Sequence, residues 1–113
     1  MIQAALNAAY ATGQPMQLFA SPWAPPYWMT EQNTTLHNPT LKGGPTSPTA
    51  QIYADYLIEF FRRYKKKYSI EFWAMTAQNE PAGNIGTWQD LKFTPEQQRE
   101  LCFPKFVFLF FSL

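Results

Sequence analysis

The feature that most limits the fold is the run from Ile70 to Thr76, Ile-Glu-Phe-Trp-Ala-Met-Thr, which is nearly continuous in apolar residues. Such a run suits a parallel strand covered on both faces. It follows a stretch of opposite character. Tyr53, Tyr56, Leu57, Phe60, Phe61, Tyr64 and Tyr68 fall on one helical stripe, with Asp55, Glu59, Arg62, Arg63 and Lys66 on the other face. Ser47 is a good N-cap, and Pro48 fits the first helical position. Glu59 lies within helical reach of Arg62 or Arg63.

The same rhythm precedes and follows this pair. Ile2, Leu6, Ala9 and Tyr10 recur at helical spacing, and Gly13 and Pro15 stop that helix. Met16 to Ala20 reads as a second buried strand. From Ser21 to about Thr46 the chain is rich in Pro, Thr, Asn and Gly, and so long an irregular stretch tends to be functional. A polar loop runs from Ala77 to Phe93. Thr94-Pro95-Glu96-Gln97 then reads as a capping box, with Thr94 as N-cap and Gln97 reaching back.

Helix, strand, helix, strand, helix is the order of an α/β fold with parallel strands. Two strands cannot form an independent sheet covered on both faces. A (β/α)8 barrel needs about 250 residues, so 113 residues read as a slice of about two β/α repeats. The tail from Leu101 to Leu113 fits neither period. Pro104 is expected to break the helix that Thr94 begins. The run after Lys105 is too short to span a bilayer. The expected division is therefore residues 1–100 as the barrel piece and 101–113 as an atypical hydrophobic tail foreign to the fold, with a buried strand as the alternative.

Charge and composition exclude several classes. Nine basic and eight acidic residues give a net charge of +1, which argues against nucleic acid as a partner. The cluster Arg62-Arg63 and Lys65-Lys66-Lys67 reads as a solvated helix C-terminus. Cys102 is the single cysteine and His37 the single histidine, so neither an internal disulfide nor a multi-cysteine metal site is expected. Asn33-Thr34-Thr35 is an N-glycosylation sequon, relevant only in a secretory compartment. Met1-Ile2-Gln3-Ala4 lacks the features of a signal peptide, which leaves a cytosolic protein or a true N-terminus further upstream.

Two constellations carry chemistry. Glu80 follows the strand Ile70 to Thr76 in Ala77-Gln78-Asn79-Glu80-Pro81. In a parallel α/β barrel the active site lies at the C-terminal strand ends. Glycoside hydrolysis needs a carboxylic acid there to protonate the leaving oxygen. Apolar neighbours such as Trp73 or Trp23 help such an acid hold its proton, and Asn79 can hold a sugar hydroxyl. A surface turn carrying a glutamate would show the same tripeptide. The second constellation is Ser21-Pro22-Trp23-Ala24-Pro25-Pro26-Tyr27-Trp28, just past the other strand. Aromatic rings held by prolines at a barrel mouth form a sugar-stacking platform, and loop packing is the alternative use of the same rings.

Together these segments resemble one known family. Leu18-Phe19-Ala20-Ser21-Pro22-Trp23 with Pro26-Tyr27-Trp28-Met29 is similar to the third barrel strand and its loop in glucosylceramidases of glycoside hydrolase family 30. Leu41-Lys42-Gly43, Tyr53-Ala54-Asp55-Tyr56 with Phe60, and Phe93-Thr94-Pro95-Glu96-Gln97-Gln98-Arg99 resemble later elements in the same order. Phe72 to Pro81 is very similar to the fourth strand and the acid/base motif. The likeness covers roughly residues 2–100.

The resemblance implies a retaining β-glycosidase, lysosomal or secreted, that cleaves glucosylceramide to glucose and ceramide without metal or cofactor and with peripheral membrane contact. It implies Glu80 as acid/base, Asn79 on the hydroxyl next to the anomeric carbon, Trp23 lining the glucose site and Trp88 near the pocket entrance. The strand bearing the nucleophile is expected to be absent from these residues, and the piece alone inactive. The alternatives are a related family 30 hydrolase on another β-glycoside and a non-catalytic carbohydrate-binding remnant.

Overall fold

A computed structural model describes residues 1–105, with side chains described through Cys102. The elements are helix α1 (Ile2–Ala11), strand β1 (Phe19–Ala20), helix α2 (Pro48–Tyr68), strand β2 (Ala74–Met75) and helix α3 (Pro95–Lys105), with one 3-10 turn at Tyr27–Met29. The strands pair parallel, Phe19 opposite Ala74 and Ala20 opposite Met75. This is the expected order and direction of chain.

The helix ends follow from local chemistry. The Ser47 hydroxyl accepts a bond from the Ala50 amide at 3.2 Å and donates to the Lys42 and Gly44 carbonyls. Helix α2 stops at Ser69, which is left-handed at φ 52°. At α3 the expected box closes in both directions. The Thr94 amide donates to Gln97 Oε1 at 2.9 Å, and the Gln97 amide donates to Thr94 Oγ1 at 3.2 Å. Glu59 pairs with Arg63 at 2.8 Å rather than with Arg62.

The strands are shorter than the apolar runs that announced them. Each has one neighbour, so only one side of its ladder is filled. Single bonds extend the pairing at either end, from the Trp73 amide to the Leu18 carbonyl at 2.7 Å and from the Thr76 amide to the Ala20 carbonyl at 2.9 Å. The expectation of two covered faces is not met among the described residues: Phe19 and Trp73 are 66% and 65% exposed.

The core instead joins α2 and α3 to the long loops. Ala50, Tyr53, Ala54 and Leu57 of α2 meet Leu101 of α3, with Met29, Leu41, Leu91 and Phe93 between them. The aromatic stripe of α2 therefore divides. Tyr53 and Leu57 enter the core, whereas Phe60, Phe61 and Tyr64 gather around Phe72 with ring centroids 5.2–5.8 Å from it. Helix α1 buries none of its residues.

Helix α3 continues through Pro104 to Lys105, so the break expected at Pro104 does not occur. Proline's φ is itself helical, and its cost within a helix is the bond it cannot donate and the crowding of one carbonyl. Leu101, where the sequence reading begins the tail, is fully buried, and Cys102 packs against the same cluster. Residues 106–113, the rest of that tail, lie outside the described residues. Among the described residues, no helix is long and apolar enough to cross a membrane.

Candidate active site

The two parallel strands deliver their following loops to the same end of the sheet. Past β1 come Ser21, Pro22 and Trp23; past β2 come Thr76, Gln78, Asn79 and Glu80. Three bonds stitch these loops together, and a fourth braces Gln78 within its own loop. Ser21 Oγ and Thr76 Oγ1 share a hydrogen bond of 2.6 Å. The Asn79 amide donates to the Pro22 carbonyl at 2.9 Å. Gln78 Nε2 donates to the Trp23 carbonyl at 2.6 Å and to the Asn79 carbonyl at 3.1 Å. Gln78 is 5% exposed and thus acts as an internal bracket between the loop of Trp23 and that of Glu80.

Glu80 is exposed and left-handed at φ 45°, a conformation that a residue with a Cβ reaches at a cost of roughly 1–2 kcal/mol. The surrounding backbone fixes it there. The Asn79 bond holds one side, the Gly83 amide donates to the Glu80 carbonyl at 2.9 Å, and the Phe93 amide donates to the Pro81 carbonyl at 2.8 Å. Trp88 Nε1–H donates to Glu80 Oε2 at 3.3 Å. One oxygen of this exposed carboxyl group is thus in contact with an indole N–H.

The structure therefore places all four residues singled out in the sequence on connected loops. Glu80 and Trp88 touch directly, and Trp23 and Asn79 are joined through Gln78. The Asn79 side-chain amide makes no hydrogen bond among the described residues. The rings of Trp23, Tyr27, Trp28 and Trp88 are all open to solvent.

Sequence reasoning missed what supports this rim. The loop carrying Trp88 is clamped to the segment before Pro39. Asn38 Nδ2 donates to the Asn84 carbonyl at 3.0 Å, and the Asn84 amide donates to Asn38 Oδ1 at 2.7 Å. Gly83, at φ 97°, allows this approach, since a Cβ there would lie 2.5 Å from Asn38 Oδ1.

Beneath the clamp sits Asp90, 2% exposed, its amide donating to the Thr35 carbonyl at 3.0 Å. Neither of its carboxylate oxygens has a hydrogen-bond partner. Burial pushes its carboxyl above the ordinary carboxylate range, and the Glu80 charge adds to this. The nearby Asn38 and Asn84 amides and His37 oppose the shift without completing a hydrogen bond. Nothing in the sequence separated Asp90 from any other loop acid. Among the described residues, no three His, Cys, Asp or Glu side chains cluster as a metal site.

A carboxyl group bonded to an indole, on a loop tied to a second aromatic-bearing loop past the C-terminal ends of parallel strands, fits the layout of a barrel glycosidase rim. Residues 2–105 match the Glycosyl hydrolase family 30 TIM-barrel domain, and the chain belongs to that family. It is 40% identical over 97 residues to the lysosomal acid glucosylceramidase of Mus musculus, covering 83% of this chain and 19% of that protein. It is 35% identical over 96 residues to putative glucosylceramidase 4 of Caenorhabditis elegans, covering 82% of this chain and 18% of that one. The chain thus spans about a fifth of the length of these relatives.

Solved structures share its shape. SrfJ from Salmonella typhimurium superposes with a TM-score of 0.74 at 25% identity, over 90% of this chain and 21% of its own. A family 30 subfamily 8 xylanase from Clostridium acetobutylicum does so at 0.72 and 25% identity, over 97% of this chain and 27% of its own. An endo-β1,6-glucanase gives 0.70 at 27% identity, over 88% of this chain and 22% of its own.

Proposed function

We propose that this chain is the acid/base segment of a retaining β-glucosidase of the glucosylceramidase type, corresponding to the third and fourth β/α repeats of the barrel. One observation carries the reading: Glu80, on the loop after β2, presents a carboxyl group hydrogen-bonded by Trp88, on a loop tied to that of Trp23. Its likeness to the mouse lysosomal enzyme over 83% of the chain supports glucosylceramide as substrate.

In this mechanism the Glu80 carboxyl donates its proton to the glycosidic oxygen as a second carboxylate attacks the anomeric carbon. The bond to the ceramide oxygen breaks, and a covalent glucosyl-enzyme forms. Glu80, now ionised, takes a proton from the water that displaces the enzyme carboxylate, which restores both groups. Asn79 holds the hydroxyl next to the anomeric carbon. Trp23 lines the glucose site, and Trp88 keeps the proton-bearing oxygen turned toward the aglycone.

Asp90 is too buried to attack. Asp55 and Glu59 lie on the exposed face of α2 and Glu96 and Glu100 on α3, Glu71 pairs with Lys65 ahead of β2, and Glu31 accepts from the Gly43 amide. The nucleophile is therefore assigned to a part of the enzyme outside these residues, and the 113 residues alone are expected to be inactive. The route that fits is lysosomal, with peripheral contact to the membrane holding the lipid.

The structural likeness to a xylanase and an endo-β1,6-glucanase favours a second reading, a family 30 hydrolase acting on another β-glycoside. A substrate panel on the full-length enzyme separates the two. Release of glucose from glucosylceramide, with neither xylan nor β1,6-glucan cleaved, is the expected result. Cleavage of either polysaccharide in place of the lipid overturns the substrate assignment. Sugar binding without any turnover overturns the enzymatic one.

A further inference from the structure

We propose that Asn33 is an N-glycosylation acceptor. The sequon Asn33-Thr34-Thr35 has no proline in its middle position. It lies in the irregular segment 31–40, closed at its base by the antiparallel bridge between Thr30 and Leu41 and by the bond from the Glu31 amide to the Thr40 carbonyl at 2.9 Å. Asn33 is exposed at a turn there. Its φ of 51° is a left-handed conformation that asparagine tolerates better than most residues.

The carboxamide is held one way round. Lys42 Nζ donates to Asn33 Oδ1 at 2.9 Å and to the Trp28 carbonyl at 2.8 Å. The opposite end, Nδ2, makes no hydrogen bond among the described residues, and neither does the Thr35 hydroxyl. The two groups a sequon must present are thus unengaged, on a loop where no strand or helix bond would be lost. The modification is a balanced transfer. Asn33 Nδ2 attacks the anomeric carbon of an oligosaccharide carried on a polyprenyl pyrophosphate. A C–N bond forms, the C–O bond to the pyrophosphate breaks, Nδ2 loses one proton, and the lipid pyrophosphate leaves. The glycan stem then sits beside the Tyr27–Met29 turn, against the segment that carries the exposed aromatic rings.

The chain supplies its own control. Asn38-Pro39-Thr40 has the ends of a sequon but proline in the middle, and the Asn38 side chain is engaged with Asn84. The proposal rests on the secretory route of the reading above, and the test supplies that route independently. The full chain is expressed behind a secretory leader in a glycosylating eukaryotic host. It is then treated with peptide N-glycosidase in heavy-oxygen water and mapped by mass spectrometry. The expected result is a labelled aspartate at position 33 and an unmodified Asn38. The glycan should be lost in Asn33→Gln and Thr35→Ala but kept in Thr35→Ser, which retains the hydroxyl. An unmodified Asn33, or a glycan that survives Thr35→Ala, overturns the proposal. Glycosidase activity of the full-length Asn33→Gln enzyme is expected to match the parent, so failure at this site leaves the catalytic reading standing.

Discussion

Replacing Asp90 by asparagine removes a charge without changing shape, and its effect should depend on pH. In the folded chain both carboxylate oxygens lack partners and the residue is 2% exposed. Burial raises its folded pKa above the unfolded value of about 3.9. The fold therefore prefers the protonated form. The stability this gives is fully present below the unfolded pKa and is lost as pH rises through the folded one. Above that range the ionised group is a steady burden. An unsatisfied buried polar group costs about 1–3 kcal/mol. Asparagine leaves the same positions unsatisfied and removes only the charge, which the neighbouring amides and His37 already relieve in part, so the gain lies at the low end, about 1 kcal/mol. Thermal unfolding followed by circular dichroism should place Asp90→Asn roughly 5 °C above the parent near neutral pH. The two curves should converge as pH falls towards about 4. A parent and variant with parallel pH profiles, or a variant less stable at neutral pH, would refute the account of this buried acid.

Other substitutions probe the core. Tyr53 is fully buried with its hydroxyl unpartnered, and burial pushes that phenol far above its usual range. Tyr53→Phe should therefore stabilise the chain by about 1 kcal/mol in urea unfolding, and a loss of stability would reveal a partner for the hydroxyl. Leu101 of α3 is fully buried in the cluster it shares with α2, so Leu101→Ala should cost about 2–5 kcal/mol. For the same reason a chain ending at Glu100 should lose stability. Removing only residues 106–113, with their run Phe-Val-Phe-Leu-Phe-Phe, should raise solubility instead, as measured by light scattering.

Local signals in the sequence translated directly into structure. The Ser47 cap and the Thr94–Gln97 box each depend on side chains bonding to backbone three residues away, so the residue types alone specify them. The parallel pairing was equally legible, because two apolar runs separated by a long helix leave few other arrangements. Strand length and coverage were not, since they depend on neighbours that the runs themselves do not name. The aromatic stripe of α2 showed one face but not its division between the core and the ring cluster on Phe72.

At the candidate site, the placement of Glu80 on the loop after β2 was readable from the apolar run before it. Its supports were not. Gln78 reaches a carbonyl 55 positions away, and Asn38 reaches one 46 away. Polar side chains of this kind look the same in sequence whether they bracket two loops or face water. Asp90 was hidden for a related reason, because Thr35 and Asn38, more than 50 positions earlier in the chain, lie against it.

The role of Glu80 itself is tested most directly by Glu80→Gln in the full-length enzyme, assayed with two leaving groups and with azide. The substitution keeps the shape and the contact with Trp88 but removes the proton donor. Cleavage of a substrate with a poor leaving group should fall on the order of 10²–10⁴-fold. An activated aryl glucoside needs little protonation, so its first step should survive while deglycosylation slows and a glucosyl-enzyme accumulates. Azide needs no general base and should restore turnover, giving a β-glucosyl azide with retained configuration. Equal loss on both substrates, with an α-configured azide or no rescue at all, would contradict the assignment of Glu80 as the acid/base.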